Sequence, residues 1–454
     1  MKLALSILIA TALMYGVSAG IQGAGSPLGP GRKYSTIERL QPERLRAVHL
    51  DRMRYAAARH EVTLKTGYTD YRAILHAHAE DSSHTGGTRT ELLQAALKAG
   101  VNIVMLTDHV RPGRDFINDS WKGLHQGVLF IPGAESEGFL VYPRVSTASN
   151  TWKTRDEYIK LIKQDGGNIF LSHAEERLDW PQDELDGMEI YNHHTDVKDE
   201  GEFNIWLRGA LTNADRLRLL QTALTDYPEE VFSAQQDYLS AIIGKWDRDS
   251  RKHRLTGVAA NDCHHNQVFT VTVHDENSVD VEYITSAPTK TTITANQIEG
   301  VRRLVSGLKP GELIARLDFD PYERSFKYVA THVLSANLSE AAIREALAMG
   351  HAYVAHDWIC DSSGFAFVAM KGSRKLAEMG DELKYEGGLS LVCALPVEAD
   401  LKLFRNGVPI LTKNGNRLEY KVTDSGIYRL EAWLMLDSES RPWIYSNPVY
   451  VRGN

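Results

Sequence analysis

Tyr71-Arg72-Ala73-Ile74-Leu75-His76-Ala77-His78 opens a stretch that closes with Val101-Asn102-Ile103-Val104-Met105-Leu106-Thr107-Asp108-His109. The apolar run 71–75 reads as a short buried strand. Residues two apart on a strand share a face, so His76 and His78 present two imidazoles side by side. His84 follows in a polar loop with Gly86 and Gly87. A helix capped by Thr88-x-x-Glu91 and stopped by Gly100 leads into the second apolar run, 101–106, which ends at Asp108-His109. Two successive strands therefore end in histidine at one edge. Neutral imidazole is the commonest side-chain ligand of zinc and similar ions, so a metal site is the first expectation.

The alternation continues. An apolar segment at 128–131 runs into Pro132-Gly133-Ala134-Glu135, and Thr154-x-x-Glu157 opens another helix. Segments ending at Ser172-His173 and at Asn192 follow, then a long helical region, 201–251, and a strand, 256–260, that leads into Asn261-Asp262-Cys263-His264-His265. Strands alternating with helices predict a parallel sheet, open or closed into a barrel. His76, His109, Glu135, His173, Asn192 and Asp262 each stand at or just beyond the C-terminal end of a different expected strand. In β/α barrels that is the face where catalytic groups converge.

The flanks differ in texture. Lys2, an apolar run at 3–15 and Gly16-Val17-Ser18-Ala19 form the pattern of a secretory signal peptide over residues 1–19, too short to span a bilayer, and predict a secreted or periplasmic protein. Residues 20–63 read as a leader followed by helices, with Ser35-x-x-Glu38 as a capping box and Pro42 in a first turn. Residues 268–330 read as β-rich insertions. Beyond Gly364, short strands are expected at 365–370, 389–394, 401–405, 408–411, 418–422, 427–435 and 444–451. Asn406-Gly407 forms a hairpin turn, and Asp424-Ser425-Gly426-Ile427-Tyr428 is similar to the tyrosine corner of Ig-like sandwiches. An all-β, Ig-like sandwich over 360–454 follows. The net charge of −8 weighs against a nucleic-acid partner, and Cys263, Cys360 and Cys393 include no C-x-x-C pair.

Taken together, His76-x-His78 with His84, Thr107-Asp108-His109, Gly133-x-Glu135, Ser172-His173 and Asp262-x-His264 resemble the PHP (polymerase and histidinol phosphatase) superfamily of metal-dependent phosphoesterases, over residues 68–265. The C-terminal strands and the passage 353–367 resemble secreted members grouped with the carbaryl hydrolase family. The resemblance implies an α/β fold, a PHP-type distorted, TIM-like β/α barrel over 64–359. It implies a first ion on His76, His78, Glu135 and Asp262, and a second on His84, His109 and His264. A third would lie at Glu135 and His173, but the histidine usual soon after the glutamate is missing, and Glu137 is the substitute on offer.

Two or three divalent ions (zinc, manganese or iron) would then produce hydroxide at neutral pH and stabilise phosphoryl charge. Glu135, Asp262 and His264 would be catalytic, Asp108 would orient a ligand histidine, and Arg111, Arg177 and His193 or His194 would contact a small-molecule ester substrate. The expected reaction is hydrolysis of small phosphate mono- or diesters by an exported enzyme. Carbamate or aryl-ester hydrolysis is the alternative reaction, and a cell-surface binding protein with a structural or decayed metal site the alternative class. His125, His253, His265, His332, His351 and His356 read as structural or surface residues.

Overall fold

The computed structural model describes residues 30–198, 200–285 and 287–453; the signal-peptide pattern at 1–19 lies outside them. The local signals act as expected. Ser35 and Glu38 form a reciprocal capping box, Pro42 starts the helix Pro42–Ala58, and Thr154 caps Arg155–Lys163. Thr88 and Glu91 cap Arg89–Ala99, and Gly100 ends that helix at φ 67°, a conformation that favours glycine.

Among the described residues ten strands precede residue 261: β1 (Thr69–Ala77), β2 (Ile103–Leu106), β3 (Asp108–His109), β4 (Gly123–His125), β5 (Val128–Ile131), β6 (Ala134–Ser136), β7 (Phe139–Tyr142), β8 (Asn168–Leu171), β9 (Gly187–Asn192) and β10 (Thr256–Ala260). Then come β11 (Val268–Asp275), β12 (Ser278–Ile284), β13 (Thr289–Thr294), β14 (Leu313–Asp318), β15 (Ala330–Ser335) and β16 (Ala352–Ala355). β10-β9-β8-β7-β6-β3 form one sheet, while β15-β1-β2-β5-β4 belong to another. The chain passes between the two sheets at Thr107, between β2 and β3, and at Pro132-Gly133, between β5 and β6. At the far edge Ala77 bridges to Cys263, and the His78 N–H donates to the Cys263 carbonyl at 3.1 Å, which brings the end of β10 back to β1.

The sheets are mixed, which corrects the expectation of a purely parallel arrangement. β7 runs antiparallel to both β6 and β8, and β15 antiparallel to β1. The cause is local: Glu137 and Gly138 adopt φ 54° and 85°, a two-residue hairpin turn, whereas a parallel neighbour needs a long crossover. Strands β11–β14 form a separate sheet in the order β13-β12-β11-β14. Its inner face, with Val271, Val279, Val281 and Leu317, packs in one apolar cluster with Phe203, Leu217 and Leu220 of the helices Gly201–Ala210 and Ala214–Asp226.

Beyond residue 360 the regular elements are all strands among the described residues. Two long strands, Leu389–Arg405 and Val408–Lys421, stand where four short ones are expected, because register shifts at Ala394/Ala399 and Leu403/Phe404 absorb the irregular residues as bulges. Asn406 and Gly407 close their hairpin at φ 54° and 79°, and the Tyr428 hydroxyl donates to the Asp424 carbonyl at 2.7 Å, as a tyrosine corner requires. β16 pairs with Glu439–Ser446, so hydrogen bonding runs unbroken past the boundary expected at 359/360. Ile190, Trp246, Leu430 and Trp443 share a single core cluster. All three cysteines are free and buried. Among the described residues no helix is long and apolar enough to cross a membrane.

Candidate metal centre

Strand ends deliver the polar groups. His76 lies in β1 and His78 just past it, His109 ends β3, Glu135 sits in β6, His173 follows β8, and Asp262 and His264 follow β10. Glu135 is central: its Oε2 lies 3.6 Å from His76 Nε2, 3.8 Å from His78 Nε2 and 3.6 Å from His109 Nε2. Its Oε1 lies 2.9 Å from His173 Nε2 and accepts from the Ser172 hydroxyl at 2.9 Å. Asp262 Oδ1 is 3.3 Å from His76 Nε2 and 3.5 Å from His78 Nε2, and its Oδ2 is 3.6 Å from His173 Nε2 and 3.3 Å from His194 Nδ1. Asp262 and His173 hold left-handed backbones, φ 47° and 44°, which turn their side chains away from the direction the strands would impose.

The opposite nitrogens are already engaged. His76 Nδ1 meets Glu189 Oε1 at 2.7 Å, His78 Nδ1 and His109 Nδ1 meet Asp81 Oδ2 at 2.9 and 2.6 Å, and His264 Nδ1 meets the Asp262 carbonyl at 3.0 Å. These acceptors draw the ring proton to Nδ1 and leave Nε2 as a lone pair. Among the described residues the Nε2 atoms of His76, His78 and His264 are buried without a hydrogen-bond partner. A buried polar atom left so costs about 1–3 kcal/mol, which a cation at that point would offset. Among the described residues four groups bring their ligand atoms within 4.8 Å of one another: His78, His109 and His264; His76, His78 and Glu135; His76, His173 and Asp262; and His173, Glu175 and His194. The donor set suits divalent metal ions.

The electrostatics agree. Burial lowers the His76 pKa, yet Asp262 and Glu189 push it up to about 10; burial likewise lowers His78, while Asp262 and Asp81 push it up to about 9. Burial raises the Glu135 and Asp262 carboxyls, but His173 and His76 hold the first, and His76 and His194 the second, well below the usual carboxylate range. The cluster attracts positive charge, and a metal ion is what would displace the protons.

The remaining expected residues fall as follows. His84 borders the cavity with its ring 4.9 Å from those of both His109 and His264, and lies outside the four tight groups. Asp108 hydrogen-bonds Arg89, Arg114 and the Ala79 N–H, so the carboxylates that orient the histidines are Asp81 and Glu189 instead. Arg111 is exposed and donates to the Glu80 carbonyl at 3.2 Å. Arg177 donates to the Ser172 and His173 carbonyls, each at 3.2 Å, and braces the loop that carries His173. His194 joins His173 and Glu175, while His193 lines the cavity with its ring stacked on Phe232. Glu137 is exposed at the β6–β7 turn, outside those groups.

Sequence reasoning missed Asp81, Glu189 and Glu175. Their signals were a carboxylate three residues after His78, an ionisable residue inside the buried run Gly187–Asn192, and a glutamate two places after His173. The glycines of the His84 loop are explained by close approach. Gly86 and Gly87 donate to the His264 carbonyl at 3.1 and 3.2 Å, and a Cβ on Gly86 would lie 2.3 Å from the His265 carbonyl oxygen.

No family model matches the sequence, and no curated protein matches it. Among solved structures the chain is similar to a two-domain protein from Bacteroides vulgatus containing a predicted PHP-like metal-dependent phosphoesterase. The identity is 14% and the TM-score 0.32, covering 86% of this chain and 98% of that one.

Proposed function

We propose that the chain is an exported metal-dependent phosphoesterase of the PHP type. The observation that carries the reading is the convergence of the unpartnered Nε2 atoms of His76 and His78 on Glu135 and Asp262, with His264 grouped beside His78 and His109. The return of β10 to β1 supports the distorted β/α barrel, the tyrosine corner supports an Ig-like sandwich, and the pattern at 1–19 supports export. His76, His78, Glu135 and Asp262 would hold one ion, and His109 and His264, with His84 at the rim, a second. His173, Glu175 and His194 offer a third locus in place of the histidine missing after Glu135.

When bound, divalent ions acidify water and offset the charge that develops on phosphoryl oxygens. The chain's own part is positional. Asp81 and Glu189 keep the imidazoles in the ligating tautomer, Glu135 and Asp262 spread negative charge across the cluster, and Arg177 fixes the His173 loop. In the reaction a water oxygen bonds to phosphorus, the phosphorus–oxygen bond to the alcohol breaks, and the proton the water gives up ends on the departing alkoxide. No serine or cysteine nucleophile is required, and burial pushes the Cys263 thiol well above its ordinary pKa.

Metal analysis of the purified chain, with hydrolysis of p-nitrophenyl phosphate, bis-p-nitrophenyl phosphate and 1-naphthyl carbamates, tests the reading. Two or more bound equivalents and phosphoester turnover are expected. Turnover confined to carbamates, or bound metal with no hydrolysis, would overturn it.

A further inference from the structure

The metal-binding side chains account for one side of a cavity of about 200 Å³; much of the rest comes from Val197, Asn266, Gln267 and Tyr283. The last three belong to, or lead directly into, the sheet β11–β14. Buried Asp320 accepts the backbone N–H groups of Asn266 and Gln267 at 2.9 and 2.7 Å, which fixes the turn that presents their amides. Tyr283 stands on β12 opposite Phe269 of β11, with ring centroids 5.2 Å apart, and faces the same space. Burial, helped by the charge of Asp320, raises its pKa, so the phenol is a hydrogen-bond donor at neutral pH. Asn261 has its amide committed to the Ser325 and Val329 carbonyls.

The wall is therefore neutral, and the nearby arginines are turned to other work. Arg89 and Arg114 hold Asp108, Arg111 holds the Glu80 carbonyl, and Arg177 holds two carbonyls while lying over the Trp180 ring at 5.2 Å. Among the described residues no lysine or arginine lines the cavity.

A phosphate monoester carries about −1.5 to −2 charges at neutral pH and presents three terminal oxygens, for which a cationic side chain, above all arginine, is the matching partner. A diester carries one negative charge and places organic groups on both remaining oxygens. Amide and phenol groups match the hydroxyl-bearing organic part, not a third charged oxygen.

We infer that β11–β14 form a specificity wall, with Asn266, Gln267 and Tyr283 as its contacts, that makes this a site for phosphodiesters of hydroxylated alcohols in preference to monoesters. The inference rests on the phosphoesterase reading and names its substrate class. Hydrolysis would consume one water and release a monoester and an alcohol.

The test is calorimetric binding of bis(2-hydroxyethyl) phosphate and 2-hydroxyethyl phosphate to the zinc-loaded full chain, alongside their turnover read as released ethylene glycol. The diester should bind about tenfold more tightly, and Tyr283→Phe or Asn266→Ala should weaken it about three- to tenfold with metal content unchanged. Tighter binding of the monoester, binding of neither, or indifference to both substitutions would overturn the inference. Diester-selective binding without turnover of either ester would sustain it and sink the hydrolase reading instead.

Discussion

Two histidine–carboxylate clusters lie on neighbouring strands of one sheet and meet opposite fates. His332 on β15 pairs in register with Arg72, four residues before His76 on β1. Both histidines are buried, and both are pushed up to about 10 by two carboxylates acting against desolvation. Around His332 the network closes: Nδ1 meets Asp70 and Nε2 meets Asp357, each at 2.8 Å. Tyr353 donates to Asp70 at 2.7 Å, and Arg72 pairs with Asp357 at 3.0 Å. Around His76 only Nδ1 is satisfied, by Glu189, and Nε2 is left without a hydrogen-bond partner, 3.6 Å from Glu135 and 3.3 Å from Asp262. Residue type and burial are the same. What separates a tie from a candidate metal ligand is the second nitrogen.

The widest separation should appear when each cluster is cut. Asp262→Ala is expected to lose bound metal and to cut ester turnover by more than about a hundredfold, with the chain still folded. His332→Ala should retain metal but lose about 3–5 kcal/mol of stability, because Asp70 and Asp357 are left buried without their partner. Metal analysis and denaturant unfolding on both variants would break the comparison if the phenotypes were exchanged.

A smaller effect belongs to the orienting carboxylates. Glu189→Gln should weaken metal binding about ten- to hundredfold while preserving the fold, since His76 loses the charge that fixes its tautomer. Competition with a chelator reads it; unchanged affinity would show that Glu189 is a strut and the His76 cluster closer in kind to that of His332.

The mildest effect is in pH. A raised histidine pKa stabilises the folded state fully below the unfolded value of 6.5 and loses that contribution as pH rises towards about 10. Thermal unfolding between those limits should show stability falling with pH in the metal-loaded protein, and a flatter profile in His332→Gln. An equally steep fall in the variant would assign the dependence elsewhere.

Much of the centre could be read in advance because its residues stand at strand ends, where strand periodicity and apolar runs are local properties. His76, His78, His109, Glu135, Asp262 and His264 meet as that pattern implies. The helix caps and the Asn406-Gly407 hairpin were legible for the same reason: each is a short-range hydrogen-bond or φ preference. Asp108, expected to orient a ligand histidine, is claimed by Arg89 and Arg114, and neither pairing shows in the spacing. Nor did the alternation of elements reveal β7, whose direction is set by a two-residue turn at Glu137-Gly138.

The sequence by itself determined which residues would crowd one edge of the sheets and that their chemistry calls for a cation. Tertiary structure alone decided which histidine keeps a free nitrogen and which carboxylate is shared. Those pairings join positions such as His76 and Glu189, 113 residues apart, or His332 and Asp70, 262 apart. The physical reason is that a backbone preference acts over one turn or one strand, whereas a side-chain hydrogen bond is settled by whatever the folded chain brings within about 3 Å.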